Sequence, residues 1–235
     1  MSQPETGLAA GNYPAAIVWD LDGTLAESAP DLTTALNTVL EENAHTGHDL
    51  AAVRNMIGGG VPKLIERGFR ASGAPLDPHA VDALVPRFME IYSACATDNT
   101  HLRPQAREAL EHFQQAGVIQ GLCTNKPISV TRQIVAALGM EAYFGSVIGG
   151  DSTKCRKPDP LPLQTCLEQL GVSAANAVMI GDSGADVGAA RSAGVRIILV
   201  PDGYTSAPAE TLGANYVLRD LSELIDAYPS LSPHN

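Results

Sequence analysis

Apolar positions along the chain fall into two regimes. Between residues 30 and 96 they recur at helical spacing. Leu32, Leu36, Val39 and Leu40 form a first group, and a stretch over about Leu50–Arg70 forms a second. Val81, Leu84, Val85, Phe88, Met89, Ile91 and Tyr92 fall within a third, about Pro78–Ala96. Steps of three and four residues place side chains on one face of a helix. Ser28, with Asp31 three residues later, resembles a capping box ahead of the first helix. Gly58-Gly59-Gly60 interrupts the second, and Pro86 is expected to kink or split the third. No strand-like alternation occurs from Leu25 to Thr100, so this segment reads as helical throughout.

From Pro104 onward short apolar runs alternate with helical stretches. The runs are Val118–Cys123, Val147-Ile148, Ala177–Ile180, Arg196–Val200 and Tyr216–Leu218. Helices are expected from Pro104, in a first turn, to about Ala116, over Ile128–Leu138 and over Pro160–Leu170. Two more are expected, one after Ser183 up to Ala193 and one over Leu221–Tyr228. Gly117, Gly139 and Gly171 are suited to closing the first three. One more run of strand length, Ala16–Trp19, precedes the helical segment. Repeated strand–helix units imply a parallel sheet covered on both faces. The predicted fold class is α/β. Its core is a Rossmann-like, doubly wound parallel sheet over residues 1–26 and 101–235, with a small helical unit, residues 27–100, inserted after the first strand. Met1–Thr6 reads as a short flexible leader and Pro229–Asn235 as a frayed tail.

Composition narrows the function classes. A net charge of −11, from 26 acidic and 15 basic residues, argues against a nucleic-acid surface, which needs clustered Lys and Arg. No apolar run approaches the roughly 20 residues of a membrane span, and the N-terminus has no basic, apolar signal. The four cysteines, Cys95, Cys123, Cys155 and Cys166, show neither C-x-x-C pairing nor zinc spacing. A reduced, cytoplasmic setting is expected, with no membrane or nucleic-acid partner.

Candidate chemistry gathers at the ends of the predicted strands. The first strand stops at Asp20, and Asp22 follows two positions on, ahead of Gly23 and Thr24. Open α/β sheets place their chemistry at this edge. Two close carboxylates without an adjacent base point to a divalent metal, a covalent carboxylate intermediate, or both. Thr124-Asn125 ends the next strand, Lys157-Pro158 lies in a later loop, and Asp182 with Asp186 follows a third strand. Carboxylates at Asp20 and Asp182 are hard oxygen donors suited to Mg²⁺, and Lys157 can neutralise an anion. A metal, an ammonium and hydroxyl donors around one carboxylate make a phosphoryl-transfer site, because that chemistry rests on positioning and charge stabilisation.

In this order the motifs resemble those of the haloacid dehalogenase superfamily, and within it the phosphoglycolate phosphatase group. Asp20-Leu21-Asp22-Gly23-Thr24-Leu25, Thr124-Asn125-Lys126-Pro127, Arg156-Lys157-Pro158-Asp159-Pro160, and Gly181-Asp182-Ser183 with Asp186 match its four motifs. Ser28-Ala29-Pro30-Asp31-Leu32 and Gly149-Gly150-Asp151 are further matches, more typical of the phosphoglycolate group. The resemblance implies a phosphatase in which Asp20 attacks phosphorus and becomes an aspartyl phosphate. Asp22 would protonate the leaving oxygen and then deprotonate water. Asp20, the backbone carbonyl of Asp22, and Asp182 would hold Mg²⁺. Thr124 and the Asn125 backbone would hold phosphoryl oxygens, Lys157 would offset charge, and Asp186 would orient Lys157 or metal-bound water from behind.

Residues 27–100 resemble the family's mobile cap, with Glu27 standing where the group often has aspartate. In that segment Arg54, close to the triple glycine, is the expected substrate contact, with Lys63 as its fallback. The implied substrate is a small phosphate monoester, 2-phosphoglycolate first, acted on by a monomer or homodimer. The alternative is a phosphatase of a sugar phosphate or amino-sugar-acid phosphate, or a phosphosugar mutase.

Overall fold

The computed structural model describes residues 14–205 and 207–231. Strands β1 (Ala16–Trp19), β4 (Ile119–Cys123), β5 (Ser146–Ile148), β6 (Ala177–Gly181), β7 (Arg196–Leu199) and β8 (Tyr216–Val217) form one sheet. Its six strands run in the order β5-β4-β1-β6-β7-β8, and each neighbouring pair is parallel. The chain winds outward from β1 through β4 to β5, then returns to β6 on the other side. β1 is therefore the point at which the winding reverses, where such sheets open a crevice.

The two faces of β1 belong to two cores, as the period of a strand requires. Ile17 and Trp19 join a cluster with Leu110 and Phe113 of α5 (Ala106–Gln115), while Ala16 and Val18 pack with Leu163 and Cys166 of α7 (Leu161–Leu170). The one polar atom of Trp19 is satisfied, its Nε1 donating to Gln120 Oε1 at 2.9 Å. α6 (Ile128–Ala137), α8 (Gly184–Ala193) and α9 (Leu221–Leu231) complete the layers.

Four helices, α1 (Ala29–Glu42), α2 (Leu50–Arg54), α3 (Val61–Ala71) and α4 (Pro78–Cys95), fill the expected helical segment. Where the segment leaves and rejoins the sheet, β2 (Ala26–Glu27) pairs antiparallel with β3 (His101–Leu102). Two residues are too few to show an alternating pattern, so the absence of strands expected up to Thr100 is corrected at Ala26–Glu27. α4 does not split at Pro86. Pro86 and Asp82 are exposed, and water can serve the carbonyl that the proline leaves unpaired.

The capping box expected at Ser28–Asp31 is also absent. The Ser28 hydroxyl donates instead to Asp22 Oδ1 at 2.5 Å. Buried Asp31 accepts from the backbone amides of Asn99 and Thr100 and from the Thr100 hydroxyl at 2.7 Å, tying the start of the helical segment to its end. Two helix ends also differ from the pattern. α5 begins after Gln105, which is left-handed at φ 59°, so Pro104 precedes the helix. α9 continues through Pro229 to Leu231, so the fraying expected from Pro229 does not begin there. The leader Met1–Thr6 and the last four tail residues lie outside the described residues. No helix among the described residues is long and apolar enough to cross a membrane.

Candidate active site

Parallel pairing brings the strand ends to one edge. Trp19 stands in register with Leu122 and Ile180, so the residues that follow, Asp20, Thr124 and Asp182, converge there. Each is at least nine-tenths buried. Gly23 makes the approach of the Asp20–Asp22 turn possible. Its φ is +82°, and a Cβ there would lie 2.2 Å from Asp182 Oδ2.

Lys157 is held at the centre of this edge. Its Nζ donates to Asp186 Oδ1 at 2.6 Å and to the Cys123 carbonyl at 2.7 Å, and it stands 2.9 Å from Asp20 Oδ1. Burial alone would push this ammonium down, but Asp186 and Asp20 outweigh it and hold its pKa above the ordinary value. The backbone of Lys157 is fixed as well. Asn125 Oδ1 accepts from the Lys157 amide and Asn125 Nδ2 donates to its carbonyl, both at 2.9 Å. The Asn125 side chain therefore locks the lysine loop, which leaves its backbone as the part able to face a ligand. Thr124 Oγ1 accepts from the Lys126 amide at 3.3 Å, so its own proton points elsewhere.

Burial pushes the Asp20 carboxyl up to about 6, opposed by Lys157 and assisted by Asp186 and Asp22. Burial, then Asp186 and Asp20, also hold Asp182 well above the usual carboxylate range. Asp20, Asp182 and Asp186 each offer an oxygen within 4.8 Å of the others, so the three could hold a metal ion. Asp186 is the most committed of the three. Its Oδ1 accepts from Lys157, and its Oδ2 accepts from the amides of Asp182 and Ser183 and from the Ser183 hydroxyl. Asp20 Oδ1, in contrast, is buried without a well-formed hydrogen bond, although Lys157 is near. Hard oxygens, mutual repulsion and a poorly satisfied atom fit a small divalent cation between Asp20 and Asp182.

The sequence alone assigns Lys126 no role, yet it is buried in the site. Its Nζ lies 3.0 Å from Asp22 Oδ1, donates to the Tyr92 hydroxyl, and sits 4.7 Å from the centre of the Tyr92 ring. The signal for it is its place in Thr124-Asn125-Lys126-Pro127, next to Thr124 and Asn125. From sequence Tyr92 reads only as one of the apolar positions of α4. The cleft enclosed by these groups has a volume of about 60 Å³, with Gly58–Gly60, Val61, Leu64 and Tyr92 on its α2–α4 side. A wider hollow of about 410 Å³ shares Ile57, Gly58, Lys157 and Tyr204 with it.

The haloacid dehalogenase-like hydrolase family matches residues 14–194, which include Asp20, Asp22, Thr124, Asn125, Lys126, Lys157, Asp182 and Asp186. This chain belongs to that family. It is 40% identical over 210 residues to a phosphoglycolate phosphatase of Caulobacter vibrioides, an alignment covering 89% of each chain. It is 39% identical over 217 residues to a phosphoglycolate phosphatase of Rhodospirillum rubrum, covering 91% of this chain and 90% of the other. The crystal structure of a predicted phosphoglycolate phosphatase from Haemophilus somnus is similar with a TM-score of 0.85 at 26% identity, covering 94% of this chain and 100% of that one.

In this haloacid dehalogenase-like hydrolase, the two cations expected from the helical segment are not brought to the enclosed cleft. Arg54 pairs with Glu27 and donates to the Asp202 carbonyl at 3.0 Å, with its guanidinium 5.1 Å from the Tyr204 ring centre. The Glu27 side chain has the reach for this pairing. Lys63 is 57% exposed and pairs with Glu66 one turn along α3. Tyr204, also unassigned from sequence, joins these parts. Its amide donates to Asp182 Oδ2 at 2.5 Å, and its hydroxyl accepts from the amides of Ser28 and Ala29 and donates to Glu27 at 2.6 Å.

Proposed function

We propose that this hydrolase is a Mg²⁺-dependent phosphatase that cleaves a small phosphate monoester through an aspartyl phosphate on Asp20, with 2-phosphoglycolate as substrate. The observation that carries the reading is the buried Asp20 with Lys157 2.9 Å from one oxygen and Asp182 beside it. The names of the relatives at about 40% identity supply the substrate.

In this reading Thr124, the Asn125 amide and Lys157 hold the phosphoryl oxygens while Asp20 attacks phosphorus. The bond to the ester oxygen breaks as the bond to Asp20 forms, and Asp22 delivers a proton to the departing oxygen. The Ser28 hydroxyl, donating to Asp22 Oδ1, keeps that carboxyl facing the site. Asp22 then takes a proton from water, which attacks the phosphorus of the aspartyl phosphate, releasing phosphate and restoring Asp20. Mg²⁺, held by Asp20, Asp182 and the Asp22 carbonyl, would supply charge stabilisation for nucleophile and phosphate. Asp186 positions Lys157. Residues 27–100 serve as a cap over the core of residues 1–26 and 101–235, with Gly58–Gly60 and Tyr92 shielding the reaction from water.

A panel of small phosphate monoesters, assayed with Mg²⁺ and again with excess chelator, tests the reading. The expected result is highest kcat/KM on 2-phosphoglycolate and no turnover in chelator. Preference for a sugar phosphate would overturn the substrate, and full activity in chelator would overturn the metal.

A further inference from the structure

A substrate that carries a carboxylate brings a second anion into this cleft, and an anion taken out of water needs a cationic partner. Among the described residues lining the enclosed cleft, two are cations, Lys126 and Lys157. Lys157 is engaged by Asp186, the Cys123 carbonyl and Asp20, which places it at the phosphoryl end. Lys126 is 4% exposed and faces Asp22 and Tyr92. An ammonium has three hydrogens, so two partners leave one for a ligand.

We propose that Lys126 and the Tyr92 hydroxyl form the subsite for the substrate's carboxylate, and so set specificity from the core side of the cleft. The inference rests on the phosphoglycolate reading above. Its basis is the length of the substrate. In 2-phosphoglycolate a single methylene separates the ester oxygen from the carboxylate carbon. Asp22, which delivers a proton to that ester oxygen, touches Lys126 at 3.0 Å. A carboxylate so close to the proton donor falls beside the lysine and its tyrosine partner. The two donors come from different parts of the fold, Lys126 from the loop after β4 and Tyr92 from α4, so a carboxylate accepting from both would also draw the cap onto the core. Leu32, Val61 and Leu64 line the same space and make its wall apolar.

The test compares kcat/KM for 2-phosphoglycolate with that for 2-hydroxyethyl phosphate, which has the same length but no carboxylate. Wild type, Lys126→Met and Tyr92→Phe are measured with Mg²⁺. The expected result is a strong wild-type preference for 2-phosphoglycolate. Lys126→Met should lower that preference about 30-fold, mainly through KM, as loss of a hydrogen bond to a charged group implies. Tyr92→Phe, which keeps the ring, should lower it about 5-fold, the scale of one ordinary hydrogen bond. Equal losses on both substrates, or a preference unchanged in the variants, would overturn the subsite while leaving the substrate reading intact. A wild type with no preference would overturn the substrate reading itself. Should Lys126→Met fail to fold, the preference shown by Tyr92→Phe decides the matter.

Discussion

Replacing Asp186 by asparagine tests how the site holds its lysine. The substitution preserves shape and removes one charge. One carboxylate oxygen of Asp186 accepts from Lys157 at 2.6 Å, and the other accepts from Asp182 N, Ser183 N and the Ser183 hydroxyl. An asparagine has one acceptor and one donor end. In either orientation its N–H₂ would face a donor, the Lys157 ammonium or the two amides. Breaking a buried ion pair from one side costs about 3–5 kcal/mol. Lys157 keeps Asp20 and the Cys123 carbonyl as partners, so the lower end applies, about 3 kcal/mol. For a chain of this size that lowers Tm by about 6–12 °C. A lysine displaced by an ångström should lower kcat by about 10–100-fold. Urea unfolding of the metal-free protein gives the stability, and a cycle with Lys157→Met isolates the pair. A loss below about 0.5 kcal/mol with kcat intact would refute the view that Asp186 fixes Lys157.

Three further outcomes follow from the same geometry. Burial raises Asp20 from 3.8 to about 6, so between those values the native state holds a proton that the unfolded chain has lost. Metal-free stability should therefore fall as pH rises from about 4 through about 6, by about 3 kcal/mol for this group, and Mg²⁺ should restore it at pH 7.5. Urea unfolding in chelator at pH 5 and 7.5 checks the sign, and a metal-free protein more stable at pH 7.5 would contradict it. Gly23→Ala places a Cβ against Asp182 at a left-handed φ, so both stability and the Mg²⁺ requirement should worsen, by about 2 kcal/mol or more in unfolding. Arg54→Ala, in contrast, removes a partly exposed pair with Glu27, and kcat/KM should change by no more than about 3-fold, alike on 2-phosphoglycolate and 2-hydroxyethyl phosphate.

Much of this site was legible because its residues sit at strand ends. Asp20, Thr124 and Asp182 each terminate an apolar run, and parallel pairing makes such positions converge whatever the loop lengths between them. Lys157 and Asp186 are legible through the resemblance of their motifs to those of the family, and the structure joins them in one ion pair. Residues that reach the site from elsewhere in the chain were harder to see. Tyr92 has the helical spacing of a core residue, and only the docking of α4 reveals a hydroxyl facing Lys126. Tyr204 lies in a loop with no periodic pattern, and its function as a bridge depends on β7 delivering that loop to Asp182. Arg54 illustrates the converse. Its place near three glycines pointed toward substrate, whereas Glu27 and the Asp202 carbonyl hold it elsewhere. β2 and β3 are two residues each, below the length at which alternation carries information. Ser28 and Asp31 have the spacing of a cap, yet both are drawn into longer-range bonds that local sequence cannot anticipate.

The most direct test of the central claim is to look for phosphate on Asp20. The enzyme is mixed with Mg²⁺ and 2-phosphoglycolate, quenched in acid during steady-state turnover, digested, and mapped by mass spectrometry. The expected result is a hydroxylamine-labile phosphate on the peptide that contains Asp20, absent from Asp20→Asn, which should be folded and without turnover. An enzyme that releases phosphate while Asp20→Asn turns over at a near-normal rate would contradict the account.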